Sequence, residues 1–255
     1  MIKRLKGKGI FMEEGNVFLR GGFERARATR TSKTMTIGGT SVKTVFLLII
    51  LMISSSYTWS LLSNGNAALA SRLAFIGVIG SLVLALTTCF VPKIASITSI
   101  LYAVFEGLAI GSVSYYADSW YPGVVLPAIM LTIATALAVM MIYKAMGGVS
   151  DRFRRIITVA VMGIGISYLL TFILSIFGIR MSFMHSSGPL GIGISLVVVF
   201  IAASSLLLDY DFVYNASRYG APKYMEWYGA FSILVTLVWM YLEILRLLEK
   251  IRGND

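Results

Sequence analysis

The chain has 255 residues, 57% of them hydrophobic and only 13% charged, with a mean hydropathy of +0.82. An ordinary soluble domain carries about 25% charged residues, so this composition argues against a water-solvated domain and for lipid as the solvent. The net charge of +10 does not indicate nucleic acid: ten of the 22 basic residues precede residue 44, in a Gly/Arg/Lys/Thr-rich stretch without helical periodicity or interleaved aromatics.

In chain order, residues 1–41 read as a basic, flexible amino-terminal tail. Beside a first apolar span such a tail orients the chain and touches anionic lipid headgroups, at about 1 kcal/mol per basic residue near the surface. Its start, MIKRLKGKGIFMEEGN, lacks the apolar stretch and small-residue cleavage site of a signal peptide. Residues 42–250 form the membrane domain, with seven apolar segments at 44–62, 70–91, 96–117, 123–143, 156–177, 189–208 and 225–248, and residues 251–255 are a short tail. Each segment is near the ~20 residues that cross the bilayer as a helix. Backbone polar groups in lipid must be satisfied within the segment, so the fold class is all-α, a polytopic bundle of seven transmembrane helices. Pro92, Pro122, Pro189 and Pro222 sit at or near the breaks.

With the amino terminus in the cytoplasm, Lys93, Lys144, Arg152, Arg154, Arg155, Arg218 and Lys223 join the ten basic residues of the tail on that side. Arg72, Arg180, Arg246, Lys250 and Arg252 fall outside. This bias sets the orientation amino-terminus-in, and only the basic carboxyl tail dissents. Cys89 is the sole cysteine, so no intrachain disulfide exists, and His185 is the sole histidine. A single histidine removes histidine-cluster metal sites and a Ser/His/Asp triad; His185 reads as a polar residue of an outer loop. Gly107 and Gly111 form GxxxG, and GIGIS occurs at 163–167 and again at 191–195. Such small residues let helices approach closely, and without a preceding strand a GxG is no dinucleotide fingerprint. The 28-residue spacing of the GIGIS pair carries meaning only if the two helices cross there.

Acids are expensive in hydrocarbon and persist where they have partners or a task. Asp209 and Asp211 follow the sixth apolar run, in what reads as a cytoplasmic loop from 209 to 224. Two positions apart on a helix, they point about 200° from one another, so only one is expected to face the interior. They are alternatively solvated acids beside Arg218 and Lys223. Glu226 opens the seventh segment at the same expected level; it either caps that helix or faces Asp211 and shares a proton with it as a coupled pair. Glu106, mid-span in YAVFEGLAIG, is a functional candidate or a neutral acid bonded to a neighbouring helix. Glu243 is expected near the outer face, with Arg246 three positions on as its ion-pair partner. Oxygen ligands at several levels suit protons or a hard cation such as calcium, bound transiently and without a structural metal site.

At MTIGGTSVKT, YAVFEGLAIG, LLLDYDF and GAPKYMEWYGAFSILVTLVWMYLEILRLL the chain resembles the Bax inhibitor-1 family, in particular its bacterial YccA-like branch, over about residues 35–250. The resemblance implies a seven-helix fold with the last helix central and wrapped by the other six, in the bacterial inner membrane. It also implies a pH-sensitive calcium leak governed by two aspartates, one ending the sixth helix and one in the seventh, with a basic latch from the second. The first matches Asp211, or else Asp209. Aligning the ILRLL ending places Thr236 at the second, with Glu226 and Glu243 a few turns either side. Lys93 is nearest the latch by position.

Two functions follow as expectations: a cation leak closed by protonation of Asp209, Asp211, Glu226, Glu106 and Glu243, or a non-enzymatic regulator that binds a membrane protease or stress-response complex. An intramembrane aspartyl hydrolase would need two carboxyls close enough to share a proton. Tyr210-Asp211 offers one half of such a site and the GxGD half is missing, so no enzyme and no cofactor are expected.

Overall fold

The computed structural model of the chain describes residues 34–177 and 188–253. Most of the basic tail, with Arg180 and His185, lies outside the described residues. Seven long helices follow in order: α1 (Ile37–Ser63), α2 (Ala67–Phe90), α3 (Ala95–Trp120), α4 (Val125–Met146), α5 (Asp151–Ile176), α6 (Pro189–Arg218) and α7 (Met225–Arg252), with a short 3-10 turn, Pro92–Ile94, between α2 and α3. All seven are long and apolar enough to cross a membrane.

The helices outrun the apolar segments because hydropathy marks hydrocarbon, whereas a helix stops at a cap or a breaker. α1 starts at Ile37, inside the stretch read as tail, because the Thr36 side chain accepts a hydrogen bond from the Gly39 N–H as its N-cap. α5 starts at Asp151 because Ser150 caps Phe153 in the same way. Arg152, Arg154 and Arg155 therefore lie on the helix rather than in a loop. The largest departure is α6, which runs on through DYDFVYNASR to Arg218, so the loop expected from 209 is only 219–224. No proline or glycine interrupts that run, and it ends where Gly220 takes φ +69°.

α7 is the axis of the bundle. Of its membrane window 61% is buried, against 17% for α2 and α4 and 6% for α5. It packs directly on α6, α1, α4 and α3, and Tyr102 of α3 meets Phe231 edge-on at 5.1 Å. α2 lies chiefly against α3 and α5 chiefly against α6, so these two form an outer layer and the last helix is central without touching all six others evenly.

The GxxxG glycines pack as small residues should. A Cβ on Gly107 would stand 2.5 Å from the Leu51 carbonyl of α1, and one on Gly111 would collide with the Ser55 carbonyl. Gly163, Gly165 and Gly193 of the GIGIS strings meet nothing within 4 Å, so the two strings do not pack closely on one another there, while Gly191 and Ser195 of the second are buried and accept from Lys250 of α7.

The start of the described chain meets the α6–α7 connection at one end of the bundle. Thr34 bridges Pro222, and Met35 N–H donates to Ala221 O at 2.7 Å. The α6–α7 loop is thereby fastened to the start of α1, on the face that also carries the α2–α3 and α4–α5 connections.

Candidate functional site

Asp209, Asp211, Glu226 and Glu243 are all buried, each 3% exposed or less. A buried carboxylate needs donors or a counter-charge, and each has found its own.

Asp209 faces α7. Its Oδ1 accepts from Ser232 Oγ at 2.7 Å and its Oδ2 from Thr236 Oγ1 at 2.6 Å. Among the described residues no cation pairs with it. Asp211 points to the other flank of α6, where Arg154 of α5 ion-pairs with Oδ2 and Tyr143 of α4 donates to Oδ1 at 3.2 Å. Asp151 stands 3.9 Å from the same guanidinium. The expectation that one of the two acids must face outward fails because α6 has protein on both flanks: α7 on one, α4 and α5 on the other. The cation that meets Asp211 is Arg154, not Lys93, which is exposed on the turn between α2 and α3 and makes no ion pair with Asp211.

Glu226 does not face Asp211. It closes a clasp on the start of α1: Oε1 accepts from Thr36 N–H at 2.9 Å, Thr36 Oγ1 at 2.7 Å and Lys223 Nζ at 2.7 Å, and Oε2 from Lys43 Nζ at 2.5 Å. Nor do the three acids share a level. Asp211 and Asp209 lie seven and nine residues before the end of α6, roughly 11 and 14 Å along its axis, while Glu226 is in the first turn of α7. The coupled Glu226–Asp211 pair therefore does not form.

Glu243 takes Arg246 Nη1 on both oxygens, at 3.1 and 3.0 Å, as the three-residue spacing suggested. Trp239 Nε1 at 3.1 Å and Tyr168 OH of α5 at 2.7 Å complete its shell. Glu106 is half-buried on α3 with its carboxyl against Ser81 of α2, apart from the other four. The acids thus occupy separate compartments, and among the described residues no group of three or more His, Cys, Asp or Glu is placed to hold a metal.

Arg154, Tyr143, Ser232, Tyr168 and Lys43 were not singled out as partners from the sequence. Each lies on a different helix from the acid it serves, and Ser232 shares α7 with Thr236, one turn before it. That four-residue spacing of two hydroxyls on a core helix was the signal available.

Chemically, Asp209 with its two hydroxyls is an oxygen-only nest that takes a proton or a hard cation. Asp211 with Arg154 is an internally neutralised anion. Thr236 stands where the sequence resemblance places the second gating aspartate, and Asp209, not Asp211, is the acid it touches. A family model described as Bax inhibitor 1 like matches residues 15–253. Comparison with curated proteins and with solved structures returns no match.

Proposed function

The chain belongs to the Bax inhibitor 1 like family, and from that premise we propose that this seven-helix membrane protein is a proton-regulated cation leak with calcium as its cargo. The observation that supports it best is Asp209: a buried carboxylate between α6 and the central helix, held by two hydroxyls and, among the described residues, by no cation. With a proton on it, the nest is neutral and offers a cation little. Ionised, it is a fixed negative charge in a low-dielectric surround, where an oxygen-seeking cation is strongly attracted. Loss of the proton as pH rises therefore favours cation entry.

Asp211 supplies the second control. While Arg154 occupies it, its charge is spent within the protein; when the pair parts, a second anion becomes available about 3 Å along the same helix. The proposed location is the bacterial inner membrane with the amino terminus cytoplasmic, which the distribution of basic residues supports.

The test is calcium flux into liposomes across pH for the parent, Asp209→Asn and Asp211→Asn. Asp209→Asn is expected to lose the rise of flux with pH. Flux and pH profile unchanged in both variants would remove these carboxylates from the mechanism.

A further inference from the structure

We propose that Lys250 is a stopper: its side chain closes the seam between α6 and α7 at the end of the bundle away from the Glu226 clasp, and so bars cations from the polar row that leads to Asp209.

Bonds define the seam at both ends. At one, Asp209 of α6 accepts from Ser232 and Thr236 of α7. At the other, Lys250 Nζ of α7 donates to Ser195 Oγ at 2.9 Å and to Gly191 O at 3.2 Å, both on α6. Between these ends each helix presents one continuous face. On α6, Gly191, Ser195, Val198, Ala202 and Asp209 recur at helical steps of three, four and seven, and all five are buried. On α7, Thr236, Glu243 and Lys250 follow one another at seven-residue steps, each buried, with half-buried Ser232, Trp239 and Arg246 between them on the same face.

The two faces differ in chemistry. Between its ends the α6 face is small or apolar, whereas the α7 face carries an indole N–H, a carboxylate and two cationic side chains. Polar and ionisable side chains within a membrane are expensive and mark ion pathways. Here they stand at successive levels: Glu243 lies about 10 Å beyond Thr236 along the helix axis, and Lys250 about 10 Å beyond Glu243. Arg246 occupies the Glu243 carboxylate, and Lys250 stands last in the row.

Burial singles out Lys250. It is two residues from the end of α7, where a lysine has the reach to carry its amine to water. Ile251 and Arg252 beside it are exposed, yet Lys250 is 6% exposed. Withdrawing an amine from water costs free energy, and nothing in its sequence position demands it. The side chain instead crosses from α7 to α6, fills the end of the seam and presents its charge to any cation that enters. That cations travel this way rests on the leak reading; that Lys250 closes the seam does not.

Thiol reactivity of the full chain in lipid nanodiscs tests the closure, using a small cationic methanethiosulfonate reagent, which needs water to reach a thiol. In a Cys89→Ser background, Val198→Cys on the α6 face is the reporter and Val139→Cys of α4 the control, both 8% exposed. Val198→Cys is expected to stay protected with Lys250 or Lys250→Arg in place and to become reactive in Lys250→Ala and in Lys250→Gln, with Val139→Cys protected throughout. Protection of the reporter that persists in both of the last two variants overturns the proposal, as does an equal gain at Val139→Cys. Calcium flux into liposomes, measured without the reporters, is expected to rise about tenfold or more in Lys250→Ala, because a unit charge leaves a low-dielectric path. An opened seam with no flux in parent or variant keeps the stopper and removes the leak reading; raised flux with the reporter still protected keeps the leak and overturns the stopper.

Discussion

Thr236 Oγ1 donates a 2.6 Å hydrogen bond to Asp209 Oδ2 across the α6–α7 interface, on the side of α6 away from the Arg154–Asp211 pair. One helix thus presents two acids to two different surroundings, a hydroxyl nest and a salt bridge. The central helix is tied to the first, the outer helix to the second.

Replacing Thr236 separates charge from hydrogen bonding. Thr236→Val leaves the carboxylate with one donor fewer and is expected to cost about 1–3 kcal/mol, read as a lower apparent Tm in detergent. Thr236→Asp brings a second carboxyl against Asp209; two such groups do not both ionise readily and titrate as a pair. The onset of calcium flux is then expected to move to higher pH, measured in the liposome assay.

The Glu226 clasp is a stability element. Glu226→Gln removes the charge that Lys43 and Lys223 share and weakens the Thr36 contacts. A loss of about 1–3 kcal/mol is expected, smaller than for a fully buried pair because the side chains of Lys43 and Lys223 are 20% and 47% exposed and reach water. Apparent Tm falls, while the pH profile of flux keeps its shape.

Glycine substitutions should divide by helix. Gly107→Ala and Gly111→Ala drive a methyl into α1 carbonyls and are expected to destabilise by about 1–3 kcal/mol. Gly163→Ala and Gly193→Ala meet open space and gain helix propensity, up to about 1 kcal/mol each. Thermal unfolding of the four variants in one detergent checks the sign of each.

Orientation has a direct readout. In a Cys89→Ser background, Lys93→Cys is expected to react with an impermeant thiol reagent only from the cytoplasmic side, and Asn66→Cys only from the other. Both positions are exposed connections at opposite ends of the bundle.

The seven spans were readable because each apolar run is near the length a bilayer demands, and the Glu243–Arg246 pair because its partners are three residues apart on one helix. Asp209 and Asp211 were readable as a pair to watch but not as two separate sites. Asp211 meets Arg154 57 residues away and Asp209 meets Thr236 27 residues away, contacts set by how helices assemble rather than by local spacing. The extent of α6 was hidden for a related reason: charged residues lowered the hydropathy after Leu208, although α4, α5 and α7 supply polar partners to Asp209, Tyr210 and Asp211 that let the helix continue.

Thr36 caps α1 and at the same time depends on Glu226, which the ribosome delivers 190 residues later. The order of synthesis consequently matters: the opening turn of the first span is made early and completed last, when the closing hairpin inserts. A nascent chain halted before Glu226 lacks the carboxylate that accepts from Thr36 N–H and Oγ1. Site-directed crosslinking between positions 36 and 226 in chains of increasing length would time that closure.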